Sequence, residues 1–390
     1  MNNPKLNFSI TNTIADIPKD DWDRLFDKNL IEGFGYQKTL EESNPPQFTF
    51  GYLLGKRDNR LVAILPFFIT KFSLAEFSKG LLRKPILGLQ KVFPKFLKLK
   101  ILFIGSVTTE ELYLGISKDE DLNLIMDLAL EKLREFSKNE KIDVLSFYDL
   151  SEKDKALSEY LEKKHFIKLE GLPTTLIEIN AGSLEEFTKK LSKNARKDLK
   201  RKLRRSAELA DLTTEMREDI KDISEEVYKL YLNNFGESDI HFEELPKEFF
   251  RNISQNMPGE AKFFITRDRE KIVAFNLCLI KGDFCIDKFI GLDTEVAHKY
   301  YLYFTTLCHN IDWCIKNNIR FYQPGATDYH PKVRLGAKLI PLTIYAMGFN
   351  PLLNTWARLF PKLLAPRNMD PSLKDIERFK KEAPVSPRKD

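Results

Sequence analysis

Between Phe321 and Pro341 the chain reads FYQPGATDYHPKVRLGAKLIP, and Asp328, Tyr329, His330, Lys332 and Arg334 fall within seven residues of one another. A strand-like run leads into Pro324-Gly325 just ahead of them, and polar groups gathered at the carboxyl end of a strand often build a site in α/β folds. Asp328 with His330 can accept a proton, and Tyr329 can give one to a departing thiolate. A well-hydrated loop accounts for the same residues equally well. Asp287, in CIDKFIG, is a third proton acceptor: a carboxylate on a half-buried strand has its pKa raised by desolvation. The competing reading is an ion pair with Lys288 or another neighbour.

The other concentration of chemistry is cationic. LSKNARKDLKRKLRRS, Leu191 to Ser206, holds eight Lys or Arg and a single acid, Asp198, between Lys193 and Arg205, in a chain of net charge +5. That segment carries +7 (eight minus one), so the rest sums to about −2. Nucleic-acid binders spread basic charge over a surface, whereas this charge sits on one element and describes a local anion site. Phe187, Leu191, Ala195, Leu199, Leu203 and Ala207 recur every fourth residue, which predicts a helix docked by one narrow stripe with Arg196, Lys197, Lys200, Arg201 and Arg204 turned outward. A solvated charged face is the plain alternative, but such faces usually mix signs.

The elements that would position these groups read as mixed α/β. FTFGYLLGKRDNRLVAILPFFI (Phe48 to Ile69) has hairpin grammar around Asp58-Asn59. AKFFITRDREKIVAFNLCLI (Ala261 to Ile280) repeats it, with Arg57-Asp58 answering Arg267-Asp268 and Leu61-Val62-Ala63 answering Ile272-Val273-Ala274. Helical periodicity marks IPKDDWDRLFD, with Asp20 or Asp21 as cap, then YQKTLEES, Leu122 to Phe136, and Tyr300 to Asn317 with Asn317-Asn318 as its stop. The second half thus reads helix, helix, hairpin, strand, helix, strand. The joint falls near Leu169 to Ser183, giving expected domains 1–172 and 173–365 and a tail, 366–390, disordered beyond about Lys381.

Several classes are excluded or weakened. There is no G-x-S-x-G, G-x-x-x-x-G-K-[ST], G-x-G-x-x-G or H-E-x-x-H, so serine hydrolase, P-loop, dinucleotide and zincin readings lack their signatures. Four cysteines without a C-x-x-C pair and five scattered His predict buried free thiols in a reducing cytosol and no metal site. No signal peptide or membrane span is read, although Leu81 to Gly105 mixes six Lys or Arg with Leu, Ile and Phe and could lie on anionic lipid at the inner membrane face.

Taken in order, IADIPKDDWDRL, YQKTLEES, RLVAILPFFI, LSKNARKDLKRKLRRS, MPGEAKFFITRDREKIVAFNLCLI and FYQPGATDYHPKVRLGAKLIPLTIY resemble the FemAB-like branch of the GNAT acyltransferase superfamily, over roughly Ile14 to Leu353. The resemblance implies two tandem GNAT-like domains, in line with the repeat, and transfer of an acyl or aminoacyl group to an amine of a small or cell-envelope acceptor. Relatives use aminoacyl-tRNA or acyl-CoA, and the long inserted coiled-coil arm of tRNA-using members is missing here. One departure stands out: Pro331 separates His330 from Lys332, which close relatives have side by side.

The resulting expectation is a cytoplasmic N-acyltransferase that holds no permanent cofactor and uses acyl-CoA as co-substrate. Asp287, or Asp328 with His330, would accept the proton, with Tyr329 as acid. Arg196, Lys197, Lys200, Arg201, Arg204 and Lys332 would bind the phosphorylated donor or an anionic acceptor. Rival readings are an aminoacyl-tRNA-dependent peptidyltransferase, an RNA-binding protein, or a peripheral membrane-associated binding protein; duplex DNA is not an expected partner.

Overall fold

The computed structural model describes residues 6–73, 98–237, 244–359 and 373. The first half contains β1 (Leu6–Thr11), α1 (Lys19–Leu25), α2 (Phe34–Ser43), β2 (Phe48–Arg57), β3 (Arg60–Ser73), β4 (Lys98–Ile104), β5 (Gly115–Ile116), α3 (Leu122–Asn139), β6 (Val144–Leu150), α4 (Lys155–Lys163) and β7 (Ile167–Glu170). The second begins with β8 (Thr174–Glu178), α5 (Leu184–Lys190), α6 (Lys193–Leu209), β9 (Leu212–Arg217), α7 (Ser224–Glu237), α8 (Lys247–Asn256) and β10 (Ala261–Asp268). It continues through β11 (Lys271–Lys281), β12 (Phe284–Leu292), α9 (Leu302–Lys316), β13 (Phe321–Gln323), α10 (Tyr329–Arg334), β14 (Lys338–Ile340), β15 (Thr343–Gly348) and α11 (Pro351–Leu359).

These strands form two mixed sheets, ordered β1-β2-β3-β4-β6-β15-β7, with β5 beside β3, and β14-β8-β13-β12-β11-β10-β9. The two hairpins occupy corresponding places and carry the same irregularity, a register shift just before the turn, between Gly55 and Lys56 in one and Thr266 and Arg267 in the other. Asp58 and Asn59 both take left-handed backbone, as a two-residue turn of this kind demands. The register sets Arg57 opposite Arg60 and Asp268 opposite Lys271, so Leu61 does answer Ile272. The Arg57-Asp58 and Arg267-Asp268 match is one residue out of step.

Each sheet contains one parallel pair joined by a helical crossover: β4 and β6 through α3, and β12 and β13 through α9. One core packs the first sheet against α3 and α4, and another packs the second against α5, α6 and α9. A third runs between the halves, joining Tyr36, Leu40, Phe48, Phe68 and Val107 to Phe249, Phe250, Phe263 and Phe275. Packing there is close enough that a Cβ on Gly35 of α2 would sit 2.4 Å from the Asn256 carbonyl oxygen at the end of α8.

Strand β15 departs from the expected boundaries at 172 and 173. It follows the whole second half in sequence, yet it pairs with β6 and β7 in the first sheet. Both those strands would otherwise present unpaired edges, and Tyr345 fills the first half's core completely buried. Of the Leu81 to Gly105 segment, Lys98–Ile104 is β4, paired on both sides, so that part is sheet rather than a surface-lying amphipathic element; residues 81–97 lie outside the described residues. In the tail only Leu373 is described, buried beside Tyr329 and Leu172. Among the described residues no helix is long and apolar enough to cross a membrane.

Candidate active site

The strands β12 and β13 are parallel and in register only from Phe284↔Phe321 to Ile286↔Gln323. Beyond that pair β12 continues to Leu292 while β13 ends and the chain turns away through Pro324-Gly325, so the two parallel strands part and leave an opening at the carboxyl end of β13. Asp287 and Lys288 are the first residues past the last pair. Because strand side chains alternate, they point to opposite faces and enter two different clusters.

On one face the Asp287 carboxylate accepts from Tyr322 Oη (2.5 Å), from Asn276 Nδ2 (2.9 and 3.0 Å) and from Asn310 Nδ2 (3.0 Å). All four residues are buried. Burial pushes the carboxyl up from its ordinary range, and the hydrogen bonds from Tyr322, Asn276 and Asn310 pull it partly back. Lys288 is not its ion-pair partner. The positive charge near it belongs to Lys332, which is itself buried and donates to the carbonyls of Gly325 (3.2 Å) and Ala326 (2.8 Å). Lys332 therefore pins the Gly325 loop and does not reach out as a surface phosphate ligand.

On the other face lies a cluster that the sequence reading missed. Lys288 donates to Glu32 and, at 3.3 Å, to Glu110, and its side chain is 2% exposed. Burial works against its charge, but Glu32, Tyr36 and Glu110 hold the ammonium above the usual lysine range. Burial also pushes the Glu32 carboxyl up. Glu110 accepts from Thr174 Oγ1 (2.6 Å), which accepts from Gln323 Nε2 (2.9 Å). No local signal could have linked residues 32, 110 and 288, which come from three segments and both halves.

Asp328 caps α10 in left-handed backbone and is exposed, as is His330. Half-buried Tyr303 has its phenol pushed up first by burial, then by the charges of Asp328 and Asp287. Tyr329 is fully buried and its hydroxyl donates to the Pro173 carbonyl at 2.8 Å, which ties it into the packing of that loop.

The basic helix α6 begins later than its apolar period suggests. Phe187 belongs to α5, and Ser192 caps α6, accepting from the Ala195 amide at 3.3 Å. Ala195, Leu199 and Ser206 are its buried residues, while Ala207 is exposed. Lys197, Lys200, Arg201 and Arg204 do turn outward; Arg196 is half-buried and donates to the Lys189 carbonyl at 3.1 Å. Asp198 gathers Arg201 (2.8 Å), Lys202 (2.9 Å) and Arg334 of α10 (3.3 Å). Lys202 lies over the Phe304 ring at 3.5 Å and Arg201 over Tyr301 at 6.0 Å, which sets the cationic helix beside the start of α9, where the chain leaves β12. All four cysteines are free and buried, and burial pushes Cys278 and Cys308 up to about 12.

Two mixed sheets in tandem, each with a parallel pair bridged by a helix, make up a tandem GNAT-like fold. The chain belongs to the FemAB-like family, whose model, for peptidoglycan biosynthesis and recognition, matches residues 13–343. Among solved structures it is similar to FemX, with 11% identity over 90% of this chain and 100% of that one and a TM-score of 0.53. It is similar also to a tandem GNAT protein from the clavulanic acid biosynthesis pathway, with 11% identity, 89% and 99% coverage and a TM-score of 0.52. A third is the C-terminal domain of a putative lysylphosphatidylglycerol synthetase from Agrobacterium fabrum, with 12% identity, 89% and 96% coverage and a TM-score of 0.50. At these identities the likeness is one of fold. Among curated proteins the chain has no match.

Proposed function

We propose that the protein is a cytoplasmic N-acyltransferase in which an acceptor amine attacks an activated acyl donor directly, in the opening between β12 and β13. The observation that carries this reading is that opening, with a buried carboxylate cluster on each face and a cationic helix beside the α9 end of β12. Direct attack needs orientation, a proton acceptor and stabilisation of the oxyanion, and it needs no enzyme nucleophile. Beyond Ile286 the edge of β12 has no β13 partner, and a backbone N–H on that edge is suited to the donor carbonyl. Glu110 and Asp287 flank the opening, and Asp328 with His330 stands at its rim as further proton acceptors.

Acyl-CoA is the donor we favour, its phosphates resting on Lys197, Lys200, Arg201 and Arg204. An aminoacyl-tRNA donor is the second reading. The outward face of α6 favours it: a 17-residue helix is about 25 Å long at 1.5 Å per residue, more than one pyrophosphate needs. Native mass spectrometry with coenzyme A and with aminoacyl-tRNA separates the two. Replacing Lys197, Lys200 and Arg204 together by Ala is expected to weaken binding of whichever ligand binds by about tenfold or more, while changing folding stability by about 0.5 kcal/mol or less for each exposed site. Undiminished binding in the triple variant would remove the helix from the donor site.

A further inference from the structure

The cluster of Glu32, Glu110 and Lys288 has two carboxylates for one ammonium, a formal charge of −1 at the junction of the two halves. A net charge held out of water is costly unless something balances it. Glu32 is sealed, its side chain 0% exposed, and it also accepts the Glu110 backbone N–H at 3.0 Å. Glu110 is the member that reaches outward, with a side chain 11% exposed.

What faces Glu110 is Gly325, one of the loop residues conspicuous in the sequence. A Cβ there would lie 3.7 Å from Glu110 Oε1 and 3.8 Å from the Asp287 carbonyl oxygen, and the backbone takes φ +75°, a conformation that favours glycine. Gly325 therefore places no side chain against that oxygen of the carboxylate. Its two oxygens accept one bond each, from Lys288 and from Thr174, which leaves lone pairs for a further donor.

We infer that Glu110, backed by Glu32 and Lys288, is the seat for the primary ammonium group of the acceptor substrate. This rests on the transferase reading and names the acceptor class for it: a molecule bearing a primary aliphatic amine, bound as its cation. The incoming ammonium brings the cluster to neutrality, two carboxylates against two ammonium groups. Glu110 then takes one proton from the bound cation. The freed nitrogen forms the C–N bond as the donor's C–S or C–O bond breaks, and the nitrogen's second proton leaves with the departing thiol or alcohol. Glu110 returns its proton to water through its exposed edge.

Ethylammonium chloride is a suitable minimal probe, compared with tetramethylammonium chloride and sodium chloride at equal ionic strength in thermal unfolding of the full chain. At about ten times its Kd, ethylammonium is expected to raise the Tm by about 1–2 °C over either control, since tetramethylammonium has charge but no N–H to donate. The isosteric Glu110→Gln variant is expected to unfold cooperatively and to lose that increment. An equal response of the wild type to all three salts, or an undiminished response in Glu110→Gln, would overturn the assignment. Turnover gives a second arm: Glu110→Gln should raise the acceptor KM about tenfold or more and leave donor binding unchanged. If the wild type transfers to no amine from any donor, the transferase reading fails, and the salt comparison still decides the ammonium seat.

Discussion

Among the individual side chains, the contrast between Asp287 and its sequence neighbour Lys288 is the most instructive. They read as a possible ion pair, and the strand's alternation instead sends them to opposite faces, Asp287 to three buried donors and Lys288 to two carboxylates from the first half. Asp287 was legible because a lone acid in an apolar strand is conspicuous. Glu32 and Glu110 were not, because each looks like an ordinary loop acid until the fold brings it to Lys288. The raised carboxyl of Asp287 has a consequence for stability. Below the ordinary value of 3.8 both folded and unfolded chains hold the proton; as pH rises past it the unfolded chain releases its proton first, so this group's contribution to stability is lost through the folded pKa. Urea midpoints across this range should therefore show Asp287→Asn gaining on the wild type as pH rises above about 4. A difference moving the other way would mean that the three donors outweigh burial.

Among the elements, those with a strong local period were readable: the two hairpins, α3, α9 and the basic helix α6. Their edges were less so. The apolar period ran unbroken across Leu191-Ser192, but Ser192 supplies a cap and starts a new helix there. Asn318, not Asn317, takes the left-handed stop after α9. Strand β9 went unread, the two helices expected ahead of the second hairpin gave no ranges for α7 and α8, and the partner of β15 could not be read at all, since Thr343–Gly348 has the pattern of any half-buried strand and its pairing is set by edges formed some 170 to 200 residues earlier. Tyr345 gauges how much that return contributes. It is fully buried, with its hydroxyl donating to Glu162 at 2.7 Å, and Tyr345→Ala should cost about 3–5 kcal/mol in equilibrium denaturation. A loss under about 1 kcal/mol would show that the first sheet closes without β15.

Over the whole molecule, duplication and division of labour are both visible. The paired hairpins made the repeat apparent in sequence, and their like places and register shifts in the two sheets agree with it. The two halves are nevertheless not interchangeable: a shared aromatic core, the returned β15 and the Glu32–Lys288–Glu110 cluster join them, and the proposed centre takes its opening from the second sheet and a carboxylate from a loop of the first half. Direct transfer to an amine is the claim on which this arrangement depends. Mass spectrometry of reactions containing the protein, either an acyl-CoA or an aminoacyl-tRNA, and amine-bearing peptidoglycan fragments tests it most directly. The expected result is an amide product from one donor class, dependent on intact protein, with no acylated form of the enzyme. Absence of amide from every donor, or a persistent acyl-enzyme, would contradict it.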